Sequence, residues 1–141
     1  MSTRPDTLID VISALEREMS DELGGFSLFA LILRADAPGR WDLVIAAPWI
    51  TDREATVKDV VERLKRSGRI DSLTELSRIV ILNPDDPGVN ALQRAFDVEH
   101  GRVQISNSSL FGIDINNAFL ITSRRPEAAA VRDTGGPRSI E

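Results

Sequence analysis

Six side chains could place oxygen atoms around a small ligand or a hard cation: Asp36, Asp42, Asp85, Asp86, Asn107 and Asn116. Carboxylate and amide oxygens suit calcium or magnesium, and they also fix the polar groups of an organic molecule. A second set, Asp42 with Glu54 and Lys58, has the residue types of a metal-dependent nuclease. A third pairs the single histidine, His100, with the hydroxyl of Ser108, the beginnings of a hydrolytic pair. A fourth, Arg63, Lys65, Arg66 and Arg69, could neutralise phosphates.

Spacing removes most of these. Asp42 opens a strand whose end lies near Ile50, roughly 26 Å away at ~3.3 Å per extended residue, so Asp42 and Glu54 cannot share one metal ion. The same distance separates His100 from Ser108 along a strand, and acid–base work needs hydrogen-bond reach. Arg63, Lys65 and Arg66 share their helix with Asp59 and Glu62, the pattern of a solvated, mixed-charge face. Asn83-Pro84-Asp85-Asp86 lacks the spacing of a calcium loop, and no glycine-rich phosphate loop is present. With no cysteine, disulfides, thiolate metal sites and cysteine nucleophiles are excluded.

The elements that must position these groups follow from periodicity. Leu8, Ile12, Leu15 and Met19 mark one face of a helix over 5–23, with Asp10, Glu16, Arg17, Glu18, Asp21 and Glu22 on the polar side. Gly24-Gly25 ends it, and Thr3 caps its start. Residues 26–35 and 41–47 read as two strands of an antiparallel hairpin, joined by a type II turn at Ala37-Pro38-Gly39-Arg40. Thr51-Asp52-Arg53-Glu54 reads as a capping box with Thr51 at the N-cap, and the helix it opens runs to Ser67, burying Val57, Val60, Val61 and Leu64 before Gly68. A further helical turn is expected over 70–76. Residues 77–82 lack alternation and predict an interior strand. Asp86 caps a short helix with Pro87 in its first turn, running to about Phe96. Residues 102–106 alternate as a half-exposed strand, 118–123 form the last strand, and 111–115 extend one or the other.

The fold class expected is therefore α/β (α+β), a single domain with a five-stranded mixed sheet in the order α-β-β-α-β-α-β-β over residues 1–125. From Pro126 to Glu141 the composition predicts a flexible tail. If the third strand runs parallel to the first, Asp36, Asp42, Asp85, Asp86, Asn107 and Asn116 gather at one end of the sheet. Aspartate and asparagine are also the ordinary residues of turns, which weakens that gathering as a site. Trp41, Trp49 and Phe111 stand at strand margins, where large aromatics serve either as interface anchors or as lids over the core.

Composition bounds the function. The 141 residues are 42% hydrophobic and 28% charged, as in an ordinary globular domain. A net charge of −5 argues against nucleic acid. Arginine outnumbers lysine 15 to 2, as a GC-rich bacterial genome would produce. No apolar run approaches the ~20 residues that cross a bilayer, and the polar N-terminus lacks a signal region, so a cytoplasmic protein without a membrane partner is expected. No cofactor is implied. The leading expectation is a non-catalytic interaction or regulatory module that self-associates or meets a protein partner, using edge strands and marginal tryptophans. The alternative is a small ligand- or cation-binding domain, or a hydrolase, working through Asp36, Asp42 and Asp85.

Overall fold

The computed structural model describes residues 5–36, 39–66, 76–110 and 112–124. The elements follow the expected order: α1 (Pro5–Leu23), β1 (Leu28–Arg34), β2 (Trp41–Ala46), α2 (Arg53–Arg66), β3 (Leu76–Ile81), α3 (Pro87–Ala95), β4 (Val103–Leu110) and β5 (Ile113–Ser123). The five strands form one mixed sheet in the order β3-β2-β1-β5-β4. Thr3, part of the Ala37–Arg40 turn, Gly68, Arg69, nearly all of the expected turn at 70–76, Phe111 and the tail 126–141 lie outside the described residues.

Apolar residues on both parities of β1 and β2 are buried because both faces of the sheet are covered. On one face α1 and α2 pack Leu8, Ile12, Leu15, Met19, Val60 and Leu64 against Phe29, Leu31, Leu43, Ile45 and Ile121. On the other, α3 sets Val89 and Leu92 against Leu28, Ala30, Ala46 and Leu120. Burying an aliphatic side chain of this size contributes about 1.5–3 kcal/mol, so the two-sided core is the main source of stability. The single nine-residue α3 covers its face far less completely than two longer helices cover theirs.

Three local expectations need correction. The N-cap of α2 is Asp52 rather than Thr51: Asp52 Oδ1 accepts from the Ala55 amide at 3.1 Å, and the Asp52 carbonyl accepts from Thr56. Strand β3 is an edge, not an interior strand. Its run Ile79-Val80-Ile81-Leu82 lacks alternation because Ile79 and Ile81 join one core while Val80 and Leu82 join the other. Edge strands can carry such a run when both faces are covered. Finally, β3 is parallel to β2, pairing Val44 with Val80 and Ile45 with Ile81. It therefore runs opposite to β1, which is antiparallel to β2.

This direction has a physical origin. A helical crossover after a strand returns the chain to that strand's starting end, so the next strand enters parallel to it. If the end where β1 finishes is called upper, β3 descends and delivers Asn83, Asp85 and Asp86 to the lower end. Strand β5 descends beside β1, and β4 rises beside β5. Asp86 does cap α3, its Oδ1 accepting from the Gly88 amide at 2.7 Å with Pro87 in the first turn.

Candidate functional site

The expected gathering of six oxygen-bearing residues divides. Asp85 and Asp86 leave it for the lower end, where Asp85 is exposed in a turn closed by Asn83 Oδ1. Asp36 is exposed just past β1. Asn107 takes φ 49° in the middle of β4, at a break in the ladder where Ser106 pairs with Asn117 and Ser108 with Ile115. Asn116 sits exposed on β5 within the same break. Asn107 and Asn116 thus face each other at an unpaired position of the ladder, with the register unchanged on either side. Among the described residues no group of three or more acids and histidines could hold a metal ion.

Asp42 is different. It lies on β2 opposite Ile32, and its side chain is only 5% exposed. The Oδ2 atom accepts a hydrogen bond from Arg78 Nε at 3.1 Å, and Arg34 Nε stands 3.2 Å from the same oxygen. Arg34 Nε is itself buried without an aligned acceptor, and Asp42 Oδ1 is buried with no hydrogen-bond partner. A buried carboxylate oxygen without a donor costs free energy that folding must offset elsewhere.

Asp42, Arg34 and Arg78 stand at the edge of a hollow of about 130 Å³ on the α3 face of the sheet. Its walls are aliphatic: Ile32, Val44, Val80, Leu110, Ile113 and Ile115. The hollow exists because α3 is short. Val89 and Leu92 reach the lower part of this face, while among the described residues the hollow is bounded by β-strand side chains and Leu82. Apolar walls with a few convergent polar groups are the usual composition of a small-molecule site.

Two other concavities hold side chains that are hydrogen-bonded or ion-paired, although Gln93 Oε1 in the second is buried without a partner. A groove of about 260 Å³ between α1 and α2 is lined by Asp10, Glu18 and Arg63. There Arg63 donates to Glu18 at 2.5 Å, Glu22 at 2.8 Å and Asp59 at 3.0 Å, and Asp10 pairs with Arg102. The Arg63 side chain is 7% exposed, so it clamps α1 to α2 and does not belong to the solvated face expected for it. Its hydrogen bonds hold the Glu22 carboxyl below the usual carboxylate range, and the same acids raise the guanidinium. A polar depression lined by Gln93, Arg94, Asp97 and Arg124 has Gln93 Nε2 donating to the Ser27 and Arg124 carbonyls, and Arg124 paired with Glu99.

His100 lies at the lower end, on the opposite face from the hollow. Its Nδ1 is 2.7 Å from Glu16 Oε1, and Glu16 is wholly buried, contrary to its assignment to the polar side of α1. Glu16 Oε2 accepts from the Thr122 hydroxyl at 2.8 Å, and that hydroxyl accepts from the His100 amide at 3.2 Å. The signal was in the sequence: Ile9, Ile12, Glu16 and Met19 fall at spacings of three, four and three, so Glu16 shares the apolar stripe. The network ties α1 to β5 and brings no serine hydroxyl to the imidazole.

The tryptophans act inside the domain. Trp49 Nε1 donates to the Gly24 carbonyl at 2.8 Å and to Gly25 at 3.0 Å, and its ring meets Phe26 edge-on at 5.3 Å. Trp41 packs against Phe119 at 5.8 Å. Both are half-buried lids on the α1–α2 core.

No protein-family model, curated protein or solved structure matches this chain. Among the described residues no helix is long and apolar enough to cross a membrane.

Proposed function

We propose that the protein is a non-catalytic binding module whose working site is the aliphatic hollow beside Asp42. The observation that carries this reading is the aliphatic hollow that α3 leaves open, with the buried Asp42 carboxylate and the Arg34 and Arg78 guanidiniums among the residues that line it. A domain built only for stability gains by replacing such a carboxylate or giving it a donor. His100 does not contribute, since its Nδ1 is engaged by Glu16 at the far end of the other face.

Self-association along β4 takes second place to this reading. The positive φ of Asn107 and the break in the ladder beside it interrupt the free edge, a device by which edge strands resist pairing with another chain. The hollow, in contrast, is concave and about the size of the ~150 Å³ cavities that accept benzene.

The test is a titration of the full chain with benzene, followed by amide and methyl NMR shifts. Saturable shifts confined to Val44, Val80, Ile113 and Ile115 are expected, and they should vanish in Val80→Phe, which fills the hollow. Shifts absent from those residues, or unchanged in Val80→Phe, would overturn the proposal.

A further inference from the structure

Among the described residues, strand β3 pairs with β2 alone and leaves its other side open. The Leu82 amide donates to the Ile45 carbonyl at 2.9 Å, so Leu82 and Val80 turn their backbone groups toward β2. Backbone direction alternates along a strand, and Ile79 and Ile81 therefore point their N–H and C=O groups outward. Strand β4, the opposite edge, is broken at Asn107. No bulge, proline or charge interrupts Ile79-Val80-Ile81-Leu82, and Arg78 just before it is paired with Asp42. The devices that keep a strand edge from pairing are thus missing from this stretch.

Helix α2 decides what the edge accepts. Asp59 and Arg63 lie on its α1 side, where Arg63 bonds to Glu18 and Glu22, while Thr56, Val60 and Leu64 are buried. At about 3.6 residues per turn, the flank away from α1 is then Glu54, Val57, Val61 and Lys65, at spacings of three, four and four. Because α2 joins β2 to β3, it covers their side of the sheet, and this flank faces the β3 edge. Glu54 and Lys65 are exposed, and Val61 is half-buried without joining either core. Read backwards, the stripe is Lys, Val, Val, Glu. It complements itself in an antiparallel pair, whereas a parallel pair would set Glu54 against Glu54.

We propose that a second copy of this chain pairs antiparallel along β3, about a two-fold axis normal to the sheet, to give one ten-stranded sheet. Ile79 then stands opposite Ile81 of the second copy, joining the outward backbone groups of both, and Val80 stands opposite its equivalent. The two Arg78 residues are four positions apart along the strands, roughly 13 Å, so like charges do not face each other. The same axis makes the two α2 helices antiparallel. Fourteen residues of α2 and six of β3 both span about 20 Å, so one axis passes near the middle of each. Glu54 then meets Lys65 of the second copy, and Val57 meets its Val61. A foreign strand would satisfy the edge but not the charge pattern of α2. Pairing through this surface requires no ligand in the hollow.

Sedimentation and amide hydrogen exchange on the full chain test the pairing. The wild type is expected to be a dimer. Glu54→Lys and Lys65→Glu, both at exposed positions, each set two like-charge pairs across the axis and should weaken dimerisation about tenfold. An equimolar mixture of the two variants should regain it, since each supplies the charge the other lacks. The Ile79 and Ile81 amides should exchange slowly in the wild type and fast in Val61→Glu, which places a charge in the seam. The Val80 and Leu82 amides should stay slow in both, showing that the variant is folded. A monomeric wild type, fast Ile79 and Ile81 amides in a dimer, or a mixture no tighter than its components would overturn the proposal.

Discussion

Glu16 and His100, separated by 84 positions, meet at 2.7 Å across the seam between α1 and the segment entering β4. The carboxylate is wholly buried and takes its second bond from Thr122. Leaving a buried acceptor such as the Glu16 carboxyl without its partner costs about 1–3 kcal/mol. Both Glu16→Ala and His100→Ala are therefore destabilising, and Glu16→Gln less so, since an amide oxygen can still accept from Thr122. Urea denaturation measures this, and losses below ~0.5 kcal/mol in all three would mean that the network does not hold α1 to the sheet.

Arg63 makes a second clamp, and it is pH-dependent in a definite direction. Glu22 is held below its ordinary value first by its hydrogen bond to Arg63. A carboxyl with a depressed native pKa binds its proton more readily when unfolded. Its stabilisation is therefore complete above the unfolded value near 4.5 and is lost as pH falls through the native one. Arg63→Met keeps the aliphatic packing and removes the charge. The stability gap between wild type and Arg63→Met should narrow as pH is lowered from 6 to 3. A gap that is constant or widens would show that the ion pairs are not its source.

Much of this fold is legible in the chain, and most of the failures are non-local. Hairpin β1–β2 is set by turn chemistry between two apolar runs, and Asp86-Pro87 announces α3, because both signals are local. The direction of β3 is not local. It depends on the crossover through α2, and an antiparallel choice there sends Asp85 and Asp86 to the wrong end. Asp42 was singled out among oxygen-bearing residues, but Arg34 and Arg78 were not. They reach it from neighbouring strands, through Ile32↔Asp42 and Asp42↔Arg78 pairings that only the register reveals. Glu16 is the local exception: residue type alone assigns it to solvent, while its spacing places it with Ile12 and Met19.

Asn107 offers a test of the ladder break in β4. At φ 49° a branched side chain is strained, whereas glycine is not. Asn107→Gly is expected to be nearly neutral, and Asn107→Val to cost about 1–2 kcal/mol. If valine instead regularises the strand, the edge that the break interrupts becomes continuous, and light scattering should then detect more association than in the wild type. Equal stability of the two variants, with no change in mass, would show that the break at Asn107 neither strains the chain nor guards its edge.

The seat of Trp49 on the end of α1 gives the last prediction. Gly24 has φ 129°, and a β-carbon there would stand 2.8 Å from Trp49 Cδ1. Backbone freedom and close approach therefore both require glycine at this position. Gly24→Ala is expected to cost about 2–3 kcal/mol, since it strains the backbone and displaces the indole at once. Trp49→Phe keeps the packing on Phe26 but loses the donor to Gly24 and Gly25, at about 1 kcal/mol. The double variant separates the two effects. If the ring is what alanine displaces, Gly24→Ala should cost less in the Trp49→Phe background, because the smaller phenyl yields space, and only the backbone strain should remain. Thermal or urea denaturation of the four proteins checks this, and strict additivity would mean that the indole does not press on Gly24.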